Sequence, residues 1–121
     1  MEIVGGGAID KNSYDTAVTS SNPFTGTATS TTTQAAELLI GFAVQAAGQS
    51  GSGPTWNMVS YNAGGSWSLL ATAGGAGNSP VPFALFFQNT TVTGAYAVTA
   101  TLQNPAGALS LQNYTGLVTI K

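Results

Sequence analysis

The sequence predicts an all-β fold, an antiparallel β-sandwich of jelly-roll type. Helix signals are almost absent, because the one stretch of helix-favouring residues, 33–47, does not place its apolar residues at a spacing of 3.6. Several segments instead alternate with a period of two, and turn-forming residues separate them at intervals of roughly 8–12 residues. About seven to nine strands spaced in this way are typical of a sandwich or a jelly roll.

The segment 38–44 predicts a strand in the middle of a sheet. Apolar residues occupy both of its alternating sets of positions. Such a pattern is typical of a strand that is buried on both faces. We therefore expect this segment to lie between two neighbouring strands.

The remaining strands follow from the same alternation. It recurs in segments 56–60, 67–71, 83–88, 96–102 and 114–120. The stretch Thr25–Thr33 consists almost entirely of Thr, Ser and Ala, so it predicts an edge or outer strand, because Thr combines high β-propensity with a polar hydroxyl. The long turn regions 48–54 and 74–82 are natural positions for binding loops. The length fits one domain spanning 1–121.

Charge is unusually scarce in this chain. Charged residues make up 5% of it, against about 25% in average proteins. The six are Glu2, Asp10, Lys11, Asp15, Glu37 and Lys121. With two lysines and no arginine, the chain lacks the cations that neutralise phosphates, which excludes nucleic acid and a polybasic membrane-binding patch. A surface with so little charge repels itself weakly, so it favours association.

The beginning of the sequence, Met1–Gly5, has no basic region and no apolar stretch typical of a signal peptide. The Ser-, Thr- and Gly-rich composition is nevertheless typical of an extracellular protein. We expect either a protein whose signal was removed or one that leaves the cell without a signal, as virion proteins do.

The residue inventory argues against an enzyme and against a cofactor. The chain has no His and no Cys, so Ser-His-Asp and Cys-His arrangements are impossible and zinc and copper lose their usual ligands. A small glycosidase would need two carboxylates converging across a cleft. Asp10 and Asp15 are interpreted instead as residues that flank a turn and bond local backbone amides. The oxygens of segment 10–15 are too few for calcium.

Three aromatic residues could stack on a sugar ring. Trp67 is in phase with Leu69, so we expect it in the core. Trp56 and Tyr61 lie on opposite faces of their strand by parity, so at most one of them faces a given ligand. Trp56 and Tyr61 are the candidate ligand or partner contacts.

Taken together, several segments resemble a loose family of Ser/Thr/Gly-rich β-sandwich modules found in bacteriophage structural proteins and bacterial surface proteins. The segments that carry the resemblance are Glu2–Gly6, Asp10–Asp15, Thr31–Gly41, Gly65–Leu69 and Gly94–Leu102. The chain is similar to the later part of a longer sandwich. The resemblance therefore implies missing N-terminal strands and an exposed sheet edge that could pair with another chain.

These observations predict a non-enzymatic structural protein that acts by surface packing. We expect a virion component, such as a phage head decoration or capsid-associated protein, that self-associates or joins a larger assembly such as a capsid. The alternative is a carbohydrate-binding or adhesin module of a bacterial surface protein, extracellular or on the cell surface. That alternative requires an exposed aromatic near Trp56 or Tyr61.

Overall fold

The computed structural model describes residues 7–19, 24–45, 55–60, 67–73, 83–103 and 111–121. These residues form eight strands and no helix, so none of them belongs to a helix that could cross a membrane. The strands are β1 (Ile9–Thr19), β2 (Phe24–Thr25), β3 (Ala36–Gln45), β4 (Thr55–Ser60), β5 (Ser68–Ala73), β6 (Phe83–Thr91), β7 (Thr99–Gln103) and β8 (Leu111–Ile120). The prediction of an all-β fold is confirmed.

The strands form two antiparallel sheets. One has five strands in the order β1-β8-β3-β6-β5, and the other has three in the order β2-β7-β4. The pairings are nested, because β1 pairs with β8, β2 with β7 and β3 with β6. The first and last strands of the described chain therefore lie side by side.

The predicted central strand is confirmed, because β3 lies between β8 and β6. Its alternate residues point to opposite faces of the sheet. We call the face that carries Leu39, Ala43 and Leu117 the inner face and the opposite one the outer face. Inner-face side chains of the larger sheet form one buried cluster with residues on β7 and just before it. The members of the cluster are Leu39, Ala43, Ala84, Phe86, Leu117, Tyr96, Val98 and Ala100.

The turn predicted across Asp10–Asp15 is wrong, because these residues lie within β1. They pair with β8, from Lys11 opposite Thr119 to Asp15 opposite Thr115, after a register shift between Ile9 and Lys11. On β1 the inner-face residues of this segment are all polar, although Leu117 lies among the residues opposite them on β8. The segment therefore lacks the apolar alternation that usually reveals a strand.

The Thr-rich stretch runs along the edge of the smaller sheet, but only its first residue, Thr25, lies in a strand, β2. Beyond it, the chain follows residues 94–98 through isolated backbone hydrogen bonds. Gly26 donates to the Val98 carbonyl (2.9 Å), Thr29 to that of Tyr96 (2.8 Å) and Thr32 to that of Gly94 (3.0 Å). These bonds recur about every three residues. They hold the Thr-rich stretch at the edge of the smaller sheet, but they do not form the regular hydrogen-bond ladder of a strand.

Candidate interaction surface

The outer face of the five-stranded sheet carries adjacent rows of apolar side chains. The strand register sets one row as Phe87, Ile40 and Val118, the next as Leu85, Phe42 and Gly116, and the third as Phe83, Val44 and Tyr114. The side chains in these rows are half-buried, so each keeps part of its surface exposed. The rows join into one apolar surface because paired residues project from the same face of a sheet.

Phe42 packs directly on Gly116. A Cβ added at Gly116 would overlap the phenyl ring of Phe42. The absence of a side chain on β8 therefore lets this ring lie close to the neighbouring backbone, and glycine is the residue that permits such an approach.

A pair of tyrosines extends the outer face onto β1. Tyr14 lies opposite Gly116 in the register, and its ring stacks on that of Tyr114 with centroids 6.2 Å apart and an angle of 29° between the planes. Tyr14 is 60% exposed. The two residues lie 100 positions apart in the sequence, so only the pairing of the first and last strands brings them together.

None of the charged side chains in the described ranges takes a register position on the outer face. Lys11, Asp15 and Glu37 occupy inner-face positions, opposite Thr119, Thr115 and Thr90. The Lys121 ammonium instead contacts Asp10 at a distance of 3.1 Å. The three rows on the outer face are consequently apolar, and the face is free of charge over the part of the chain that the structure describes.

The charged side chains of Lys121 and Glu37 lie near Asp10. Its carboxylate accepts hydrogen bonds from the Thr33 backbone N–H (2.6 Å), the Thr33 hydroxyl (2.7 Å) and the Lys121 ammonium (3.1 Å). The Asp10 side chain is 2% exposed. The Thr33 N–H is the main cause that holds the pKa of Asp10 well below its ordinary value of 3.8, against the opposing effect of desolvation, and the Lys121 ammonium contributes in the same direction. This cluster fastens β1, the loop at Thr33 and the end of β8 together.

Glu37 is the second carboxyl group near Asp10. It is 3% exposed, and no N–H or O–H group among the described residues donates to either of its oxygens. The Glu37 side chain adds the smallest of the effects that lower the pKa of Asp10. Both side chains are shielded from solvent, which favours a structural role for the pair.

Of the other carboxylates considered in the sequence, Asp15 does not join this pair. Asp15 accepts hydrogen bonds from the Thr16 backbone N–H (2.8 Å) and the Thr27 hydroxyl (3.0 Å), and Glu2 lies outside the described residues. Within the described ranges, no group of three or more His, Cys, Asp or Glu side chains is placed to hold a metal ion.

A buried polar network closes one end of the core. The hydroxyls of Thr90 and Tyr96 lie 2.8 Å apart, and Thr90 also reaches the Ala35 carbonyl at 2.9 Å. The Tyr96 backbone N–H donates to the Thr29 hydroxyl (3.1 Å). Both Thr90 and Tyr96 are buried. The network holds the edge stretch against the end of β6.

The residues predicted to contact a ligand fall largely outside the described structure. Trp56 lies in β4, opposite Leu102 in the register, but its side chain is outside the described residues. Tyr61 and the loops 48–54 and 74–82 are outside them as well. Trp67 packs against the core as a half-buried residue, in agreement with its predicted position.

Sequence reasoning missed the outer face and the Asp10–Glu37 pair. The apolar residues on both faces of 38–44 did signal a two-sided strand, but alternation does not tell which face a second layer covers. The carboxyl pair leaves no local signal, since its members are 27 positions apart.

Comparisons with protein-family models, with curated proteins and with solved structures gave no match. Function is therefore inferred from the chemistry and geometry of this chain.

Proposed function

We propose that the chain is a structural module of a larger protein assembly and that it acts through surface packing. The outer face of the five-stranded sheet carries this proposal. Soluble monomers rarely expose contiguous apolar patches larger than a few hundred Å². The rows around Ile40 and Phe42 form one contiguous, half-buried apolar patch with no described charge among them, so burial in an assembly is the state that suits this face.

Among protein assemblies, the fold favours a virus particle, so that the chain would be a virion component. We infer a jelly-roll sandwich from two features: both sheets contribute to one buried cluster, and the nested pairs β1–β8, β2–β7 and β3–β6 are those of a long hairpin rolled into two layers. Jelly rolls recur in viral capsid and lectin domains. A head decoration or other capsid-associated protein of a phage fits this fold and the scarcity of charge.

Purified particles from the source that produces the chain test this proposal. We expect mass spectrometry of gradient-purified particles to find the chain in copy numbers comparable to the other structural proteins. We also expect it to stay bound after a wash in about 1 M salt, since screening at that ionic strength weakens charge contacts and leaves apolar ones intact. Absence from the particles, or complete release by salt alone, would contradict the proposal.

A carbohydrate-binding or adhesin module is the second candidate, and the exposed Tyr14 favours it. Aromatic rings stack on the apolar faces of sugars, and the Tyr14–Tyr114 pair offers two adjacent rings. Titration with a panel of oligosaccharides tests this candidate. Saturable binding that Tyr14→Ala weakens by about tenfold, or about 1.4 kcal/mol, would support it over the assembly protein. The absence of binding to any of them would count against it.

A further inference from the structure

We infer that the outer face of the five-stranded sheet packs against the same face of a second copy of this chain, across a two-fold axis. The inference rests on the proposed function, since it names the partner that covers the surface described above. It predicts that the building unit of the assembly is a dimer.

The size of the face matches the requirement of a stable dimer. The four longer strands lie about 4.8 Å apart with about ten residues at about 3.4 Å each, and β5 adds six residues, so the whole face measures roughly 750 Å² per copy. A standard specific interface buries about 800 Å² on each partner. One complete face against another therefore suffices without a contribution from the smaller sheet.

The chemistry of the face suits a copy of itself. A two-fold interface places the same patch on both partners, so any charge would meet its own kind near the axis. The described outer face carries none. Two apolar sheet faces pack about 10 Å apart with interdigitated side chains. Because β3 is the middle strand, Ile40 and Phe42 would lie closest to the axis.

Face-to-face packing explains the observations better than pairing at a sheet edge. Edge pairing through β1 or β5 would satisfy backbone groups. It would leave the rows around Ile40 in water and Tyr14 exposed. Face-to-face packing covers both the rows around Ile40 and Tyr14. We therefore assign the interface to the outer face and not to a sheet edge.

Sedimentation equilibrium of matched variants tests the inference. Val118 lies on the outer face between Ile40 and Asn12, whereas Val92 is 53% exposed in the loop after β6. We expect wild type and Val92→Lys to form dimers with the same dissociation constant. Val118→Lys should dimerise at least about a hundredfold more weakly, which corresponds to about 2.8 kcal/mol, because two lysines are forced into a desolvated interface.

A second variant keeps the test valid if Val118→Lys fails to fold. Tyr14 is largely exposed in the monomer, so Tyr14→Lys should retain the wild-type circular dichroism spectrum and still weaken the dimer by at least about tenfold, about 1.4 kcal/mol. A wild-type chain that remains monomeric at high concentration would overturn the inference. So would a dimer that tolerates lysine at both positions in folded protein.

Failure of the inference can be told from failure of the proposed function. A chain that is monomeric alone, but is retained on its particle and loses that retention with Tyr14→Lys, would show that a different protein covers the outer face. The structural role would then stand and the two-fold packing would be wrong. A monomer absent from particles would contradict both.

Discussion

The phenyl ring of Phe42 lies on the backbone of Gly116, so close that a Cβ at position 116 would overlap it. The contact joins the central strand β3 to its neighbour β8 on the outer face. It lowers the ring toward the sheet and thereby helps to flatten the surface that we propose as an interface.

We expect Gly116→Ala to destabilise the fold by about 1–3 kcal/mol, the usual cost of forcing an extra methyl group into a packed site. Chemical denaturation followed by circular dichroism measures the free energy of unfolding. Gly94→Ala is the matched control, because its Cβ would lie 3.5 Å from the Tyr96 ring, an ordinary contact. Equal stabilities of the two variants would show that Phe42 moves aside freely.

The Thr90 hydroxyl should be worth more than that of its neighbour Thr91. Thr90 is buried and bonds Tyr96 and the Ala35 carbonyl, whereas Thr91 is exposed. Thr90→Val should therefore lower the free energy of unfolding by about 1–3 kcal/mol, because the Tyr96 hydroxyl and the Ala35 carbonyl would lose their hydrogen bond to Thr90. Thr91→Val should change stability by no more than about 0.5 kcal/mol. The same denaturation experiment measures both, and a Thr90→Val protein as stable as wild type would refute the importance of the network.

The Asp10 cluster predicts a specific loss of stability in acid. The pKa of Asp10 in the folded chain lies below its ordinary value of 3.8, so the folded state holds the carboxylate more strongly than the unfolded state does. The resulting stability is fully present above that ordinary value and is lost as the pH falls through the lower folded-state pKa. Denaturation curves between about pH 5 and pH 2 should show this loss in wild type.

Asp10→Asn should flatten that pH dependence, because the variant has no carboxyl group at this position to titrate. Lys121→Met should flatten it less, since the Thr33 backbone N–H, the main cause of the lowered pKa, remains in place. Identical pH profiles for wild type and Asp10→Asn would show that the acid sensitivity arises at another group.

Association should depend little on salt or on pH between 5 and 8. The chain has no His, and unperturbed carboxylates and lysines titrate outside that range. Salt screens exposed charges but not apolar contacts. We expect the dissociation constant to change by less than about tenfold, or about 1.4 kcal/mol, between low and high salt in sedimentation experiments. A larger weakening by salt would mean that ion pairs hold the partners together.

The strands with alternating apolar residues were predictable from the sequence, whereas the surface they form was not. Segments 38–44 and 83–88 matched β3 and β6 because core-facing and outward residues alternate there with a strict period of two. β1 was mistaken for a turn at Asp10–Asp15, because its inner-face residues are polar and satisfy their hydrogen bonds with distant partners such as Thr33 and Thr27.

The candidate surface depends on long-range register, which a local pattern does not contain. Tyr14 meets Tyr114 only because the first strand pairs with the last. Likewise, Asp10 meets Glu37 only after β1, β8 and β3 have assembled in one sheet. Association stays a prediction from the composition, and the register indicates which face is available for it.

The most direct test is to measure the solvent exposure of outer-face methyl groups in the associated protein. Methyl NMR with a soluble paramagnetic agent compares Ile40, Val44 and Val118 with Val92. We predict that the three outer-face methyl signals are shielded at concentrations where the protein associates and become accessible on dilution, while Val92 is accessible throughout. Outer-face methyl groups that remain as accessible as Val92 in the associated protein would contradict the account.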